Sequence, residues 1–172
     1  MVHRILPLKF FYRNTKIIAK ELLGKYLVRK SKGKNLAFMI TDVEVYDGFN
    51  DLASHASKKR TPRNEVMFQS GGRWYIYFVY GMHSMLNIVT REKDYPAAIL
   101  IRGLEGISGP GKVTKILGID KSLNKLPANR KSGLWIEDRG IHISPKSIKK
   151  SPRIGINFAG KIWATKPLRY YI

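Results

Sequence analysis

The alternation of apolar and polar positions divides the chain into a succession of short elements. In "NTKIIAKELLGKYLVRK" (residues 14–30), Ile17, Ile18, Leu22 and Leu23 recur at the spacing of one helix face. Asn14 or Thr15 suits the N-cap and Gly24 the exit, which predicts a short helix followed by a strand. "AFMITDVEVYD" (37–47) is rich in β-branched and aromatic residues and reads as a strand. Period-two alternation puts Asp42, Glu44 and Tyr46 on one of its faces and Val43 and Val45 on the other. Residues 50–64 are polar, with a basic run and a proline, and read as a loop. "RWYIYFVYGMHSMLNIVT" (73–90) holds two strand-like runs flanking Gly81, a hairpin with Tyr80 at or near its tip. "AAILIRGLEG" (97–106) is another strand, and "GPGKVTKILGI" (109–119) opens a helix with Pro110 in its first turn. From 121 to 152, Lys, Ser and Pro dominate around one apolar stretch, "GLWIED"; residues 153–172 suggest a closing strand pair or an ordered tail. There is neither an internal repeat nor a domain linker.

Composition narrows the function classes. A length of 172 residues suits one domain, residues 1–172, with a real core. The hydrophobic fraction of 44% and aromatic fraction of 11% argue for a globular fold over disorder. Without cysteine, disulfides, thiolate catalysis and Cys-based zinc sites are excluded. The four histidines (His3, His55, His83, His142) show no His-x-x-x-His spacing that would suggest a metal site on a helix, and the function read for the chain below calls for neither metal nor organic cofactor. The N-terminus is apolar only in pieces broken by Arg4, Pro7 and Lys9, and no stretch approaches a membrane span, which predicts a soluble intracellular protein. With 32 Lys and Arg against 12 Asp and Glu, the formal charge is +20. That excess outruns what solubility needs and points to a polyanionic partner, nucleic acid first.

Against this background, "TDVEVYDGFND" (41–51) gathers Asp42, Glu44, Asp47 and Asp51 with no Lys or Arg among them. Asp47 and Asp51 fit a turn, which needs such residues for backbone reasons alone. Glu44 lies mid-strand beside Tyr46, and is either an ion-pair partner or a site residue. Gly106 to Lys112 fits the G-x-x-x-x-G-K pattern of phosphate-cradling loops, but Val113 stands where the magnesium-binding hydroxyl belongs. A helix N-terminus whose free N–H groups and Lys112 hold a nucleic-acid phosphate is the more economical reading. Most rings of "WYIYFVYGM" belong to a half-buried strand. An aromatic at a hairpin tip faces water, and beside a basic loop it can act as a wedge in a base stack. His55 alone reads as a hydrogen-bonded loop histidine.

Taken in order, "EVYDGFNDLASHASKKRTPRNEVMF", "YIYFVYGMHSMLNIV", "AILIRGLEG", "GPGKVTKILGI" and "RIGINFAGKIWATKPLRYY" resemble the 3-methyladenine (alkyladenine) DNA glycosylases over most of residues 10–171. Glu-x-Tyr eleven residues ahead of a His, then Thr-Pro-Arg-Asn, then Tyr-x-x-Tyr-Gly-Met, is a specific combination. The resemblance implies hydrolysis of the N-glycosidic bond of alkylated or deaminated purines (3-methyladenine or hypoxanthine type) flipped out of double-stranded DNA, by a monomer. It assigns Glu44 as general base and Arg102 as the residue that helps hold the attacking water. Tyr46, His55 and Tyr77 match the positions that sandwich and hydrogen-bond the flipped base, and Asn87 the one that hinders guanine. Tyr80 matches the residue that fills the gap left in the duplex, while Arg60, Thr61, Arg63, Met82 and Lys112 are expected against DNA. Two departures stand out: Lys58-Lys59 where a glycine is expected in or near the run, and Gly111 where a side chain is usual. The implied fold is mixed α/β (α+β): a curved, largely antiparallel β-sheet with packed helices and a β-hairpin protruding toward the minor groove. The rival from another class is a non-catalytic basic protein binding nucleic acid through the same surface, which gains nothing from a carboxylate facing DNA. Binding to undamaged duplex should weaken steeply with salt, each phosphate contact adding about −0.9 to the slope of log K against log salt. A titration series giving a slope near zero would remove the electrostatic half of this reading.

Overall fold

The computed structural model describes residues 3–79 and 81–172. Tyr80, the expected hairpin-tip residue, lies outside the described residues. Ten strands form one antiparallel sheet: β1 (Arg4–Ile5), β2 (Tyr26–Ser31), β3 (Lys34–Asp47), β4 (Trp74–Val79), β5 (His83–Val89), β6 (Ala97–Leu104), β7 (Ile107–Ser108), β8 (Leu134–Asp138), β9 (Lys149–Ser151) and β10 (Arg169–Tyr171). Its main path runs β1-β8-β2-β3-β6-β5-β4, with β10 paired to β3, β9 to β10 and β7 to β6. Three helices pack on this frame: α1 (Thr15–Leu22), α2 (Pro110–Leu117) and α3 (Gly160–Thr165). Among the described residues no helix is long and apolar enough to cross a membrane.

β6 explains itself: "AAILIRGL" is almost continuously apolar, as befits a strand buried on both faces. It lies between β3 and β5 in the ladder. The 14-residue β3 pairs with β2 along its first half, and with β6 and β10 along its second. The sheet curves until its far members meet. The indole N–H of Trp74 in β4 donates to the Leu134 carbonyl in β8 (3.0 Å), although these strands lie near opposite ends of the path. Residues 124–126 seal the seam, Trp74 N–H reaching Leu126 O at 2.9 Å and Lys125 N–H reaching Trp74 O at 2.8 Å. Inside this curve, Ile18, Ala19 and Leu22 of α1 and Val113 and Leu117 of α2 join Val43, Val45, Trp74, Ile88, Ile99 and Ile101 in one core.

The predicted face of the first helix is corrected by packing. Asn14 is the N-cap, its side chain accepting from the N–H groups of Lys16 and Ile17. The buried stripe is Thr15, Ile18, Ala19 and Leu22, while Ile17 is 50% exposed. A threonine takes the inward place because its hydroxyl has partners there, donating to Asp47 Oδ1 (2.9 Å) and accepting from the Thr90 hydroxyl (3.0 Å). "GLWIED" becomes β8, a full member of the sheet between β1 and β2. Residues 153–172 contribute only one strand, β10, which pairs with β3 and with β9 from the preceding stretch, and α3 and residues 152–159 separate β9 from β10. Gly111 has the His83 ring 3.1 Å from where its Cβ would stand, so the hairpin strand β5 packs on the first turn of α2 through this missing side chain. Ile18→Ala should therefore cost about 2–5 kcal/mol. Ile17→Ser should stay within about 0.5 kcal/mol of the parent. Urea unfolding of the two variants checks the assignment.

Candidate active site

β3 presents its polar face to a cavity of about 260 Å³. Glu44 and Tyr46 line it from β3, Tyr77 and Val79 from β4, Met85 and Asn87 from β5, and Leu100 and Arg102 from β6. Ser54 and His55 contribute from the loop after β3, and Ile154, Ile156 and Phe158 from the segment after β9. The alternation read from the sequence thus holds: Val43 and Val45 point to the core, Glu44 and Tyr46 to the cavity. A local irregularity aims Arg102. The flanking pairs Ile40↔Leu104 and Val43↔Ile101 would set Asp42 opposite Arg102, yet Asp42 is partnered by Gly103, which leaves Arg102 out of the ladder. Glycine is required there, since a Cβ on residue 103 would lie 2.9 Å from that of Asp42.

Glu44 is fully buried, with 0% exposure, and both of its oxygens have donors. Ile154 N–H donates to Oε1 (2.9 Å), the Tyr46 hydroxyl donates to Oε2 (2.9 Å), and Arg102 Nη1 lies 3.4 Å from Oε1. Burial pushes the carboxyl above its ordinary value, against the downward pull of the Ile154 amide, Arg102 and Tyr46. The result is a carboxyl group with a raised proton affinity. Burial and the neighbouring Glu44 push Tyr46 well up, so it stays a hydroxyl donor. Tyr77 is pushed up to about 12, chiefly by burial. Burial, and then Arg63, lower His55, which keeps its imidazole neutral at pH 7. Its Nδ1 meets the Tyr75 hydroxyl at 2.9 Å, and its ring stands edge-on to Tyr77 with centroids 4.6 Å apart.

The other expected site residues divide. Asn87 is buried, its amide donating to Tyr75 O (3.1 Å) and Met85 O (3.3 Å). Met82 is 71% exposed beside the hairpin turn, and Lys112 is exposed in the first turn of α2. Arg63 reaches Phe78 O (3.4 Å) and sits over the Tyr77 ring (5.6 Å). Arg60 is engaged by the fold, paired with Glu65 (2.6 Å) and Asp94 (3.2 Å) and stacked over Phe68. Thr61 N–H donates to Asn64 Oδ1 (2.7 Å). Asn64 in turn donates to His55 O (2.8 Å) and Lys59 O (2.9 Å), which fixes the path of the Lys58-Lys59 loop without a glycine. Among the described residues no three His, Cys, Asp or Glu side chains gather to hold a metal ion.

The pairing of Asp51 with Arg153 carries no signal in the sequence. Asp51 does cap its turn, accepting from Ala53 N–H at 3.1 Å. It is also completely buried against Arg153, with contacts of 2.6 and 2.9 Å. Arg153 donates as well to Val45 O (2.7 Å) and backs the Tyr46 ring at 4.7 Å. No periodicity marks either partner, because the pair spans 102 residues and joins two loops.

The sequence matches the family model described as methylpurine-DNA glycosylase over residues 9–109 and 105–172. A protein of Methanocella arvoryzae named "Putative 3-methyladenine DNA glycosylase" is 39% identical, over 97% of this chain and 92% of its own. Similarly named proteins of Borreliella afzelii and Legionella pneumophila are each 40% identical, over 95% and 98% of this chain and 93% and 94% of theirs. The fold is thus that of a DNA glycosylase of base repair. The chain belongs to the methylpurine-DNA glycosylase family.

Removing one partner of the buried pair strands the other charge. Asp51→Asn should cost about 3–5 kcal/mol, and Asp51→Leu combined with Arg153→Met should cost less than that single change. Urea denaturation of the variants tests the order.

Proposed function

We propose that this chain, acting over residues 1–172 as one monomeric glycosylase domain, hydrolyses the N-glycosidic bond of alkylated or deaminated purines flipped out of duplex DNA. The observation that carries the reading is Glu44: a buried carboxyl group, its oxygens met by three donors, on the floor of an aromatic cavity in a protein of charge +20. As the sugar–nitrogen bond breaks, its electron pair leaves with the base and positive charge develops on the sugar. Glu44 stabilises that charge and takes the proton of the water that adds to the sugar carbon, with Arg102 beside it to hold the water. The products are an abasic site and the base, which leaves neutral when alkylation had made it cationic and otherwise takes a proton from solvent. Among the described residues no lysine lines the cavity, which supports direct hydrolysis over a Schiff-base route.

Specificity follows from the walls. Tyr46 and Tyr77 offer electron-rich faces to a base made cationic by alkylation. Neutral His55, its Nδ1 engaged by the Tyr75 hydroxyl, offers the base edge its Nε2 alone, as donor or acceptor according to the tautomer. Asn87, tethered to two carbonyls, is fixed as an obstacle to the exocyclic amine of guanine. In this reading the hairpin at Gly81, with Tyr80 as wedge and Met82 beside it, opens the duplex. Arg63 and Lys112 neutralise phosphates.

Glu44→Gln keeps the shape and removes the charge. The variant should fold and bind lesion-containing duplex nearly as the parent does, while single-turnover excision falls by at least about 10²–10⁴-fold. Wild-type excision should itself decline as pH falls through the raised Glu44 value, with its acid limb above the ordinary 4.5. A folded, binding Glu44→Gln protein that excises hypoxanthine or 3-methyladenine at the parent rate would sink the assignment. A parent that binds duplex but never excises favours the rival binder.

A further inference from the structure

Asp42 stands two positions before Glu44 in β3, at the shift in the β3–β6 register, and two arginines attend it. Arg169 of β10 grips it bidentately, Nε to Oδ1 at 3.0 Å and Nη2 to Oδ2 at 2.8 Å. Arg102 Nε lies 3.7 Å from Oδ2. The partner chosen by Arg169 is informative. In the β10–β3 register Arg169 stands directly opposite Glu44, and Tyr171 stands opposite Asp42. Directly opposed side chains are the closest pairs across a sheet, and opposite charges there attract. The direct partner of Arg169 would therefore be Glu44, yet its guanidinium turns to the diagonal neighbour. Arg102 stands between the same two carboxylates, 3.4 Å from one and 3.7 Å from the other.

Two cations thus serve two carboxylates, and Asp42 decides how they are shared. We propose that Asp42 is a positioning residue for the water-activating carboxylate: it captures Arg169 and restrains Arg102, so that Glu44 keeps lone pairs free toward the cavity. The inference rests on the reading of Glu44 as base. An ionised carboxylate has about four acceptor sites. In Glu44, Ile154 and Tyr46 already use two, and Arg102 approaches a third. An arginine released from Asp42 would fill what remains, occupying the place of the water and weakening the base by its charge.

The groups facing Glu44 are Asp42 and Tyr46 from its own strand, Arg102 from β6, Tyr77 from β4 and Arg169 from β10, with Arg153 behind Tyr46. Changing one member of the Asp42–Arg169 pair should therefore move Glu44 in a direction set by which charge is lost. In Asp42→Asn the freed arginines lean on Glu44, and its titration shifts to lower pH. In Arg169→Gln the unsatisfied Asp42 draws Arg102 away, and the titration shifts to higher pH.

The experiment uses the full chain with carboxyl-¹³C glutamate, reading Glu44 by NMR titration and identifying its signal by its loss in Glu44→Gln. Excision is followed in parallel as a function of pH. The Glu44 midpoint and the acid limb should fall in Asp42→Asn and rise in Arg169→Gln. Plateau excision in Asp42→Asn should drop roughly 10- to 100-fold, short of the loss of the base itself. Asp42→Asn/Arg169→Gln should regain most of that rate, and Asp42→Glu should keep the parent titration. Shifts of the same sign in the two single variants, no shift in either, or a double variant no faster than Asp42→Asn would overturn the proposal. Should Asp42→Asn fail to fold, Arg169→Gln still decides by the sign of its shift. A parent without excision would remove the functional reading, yet the NMR midpoints would still decide how the arginines are shared.

Discussion

The buried pair of Asp51 and Arg153 is the interaction on which the site depends. A guanidinium removed from water requires near-complete compensation, and Arg153 finds it in the Asp51 carboxylate, the Val45 carbonyl and the face of Tyr46. Its Nε alone is left without a partner. Meeting those demands fixes three things at once. The loop after β3 is drawn in, which brings Ala53 to His55 to the cavity; the back of Tyr46 is supported; and the neighbouring Ile154 amide is delivered to Glu44. A charge pair with no chemistry of its own thereby orients the group proposed to perform it.

The parts of this arrangement legible in the sequence are those that repeat. Alternation along β3 separates Glu44 and Tyr46 from Val43 and Val45, and the long apolar run of β6 marks a central strand. The paired runs around Gly81 mark a hairpin. What periodicity cannot express is contact between distant segments. Ile154 reaches Glu44 across 110 residues through a backbone N–H, which any residue but proline supplies. The inward Thr15 and outward Ile17 reverse a hydrophobicity argument, because hydroxyl partners on Asp47 and Thr90 outweigh the apolar preference. "GLWIED", set in polar sequence, is only five residues of strand, and its place between β1 and β2 depends on the curvature that brings Trp74 to it. The roles proposed for Glu44, Arg102 and Asn87 rest on a family resemblance, and the residues alone leave Glu44 open between ion pair and site. The structure finds it in contact with an arginine and lining the cavity as well.

Charge is distributed with the same selectivity. The excess of +20 describes the chain as a whole, but several cations near the site are already committed. Arg60, Arg153 and Arg169 each hold a carboxylate within 3 Å. Lys112 stays exposed, and Arg63 is only loosely attached to the strand beneath it. Net charge therefore measures attraction to a polyanion at long range, while the free cations determine how that polyanion is seated.

The contact between His83 and Gly111 bears on how related sequences are to be compared. A residue on the hairpin strand occupies the volume that a side chain at the head of α2 would claim, so the two positions share one space. They form a single steric character written in two places, 28 residues apart. A substitution at one is properly scored only together with its counterpart. A relative carrying a larger residue at the helix position is expected to compensate on the hairpin, and the pair would then drift through sequence space as a unit while the distance between strand and helix is conserved.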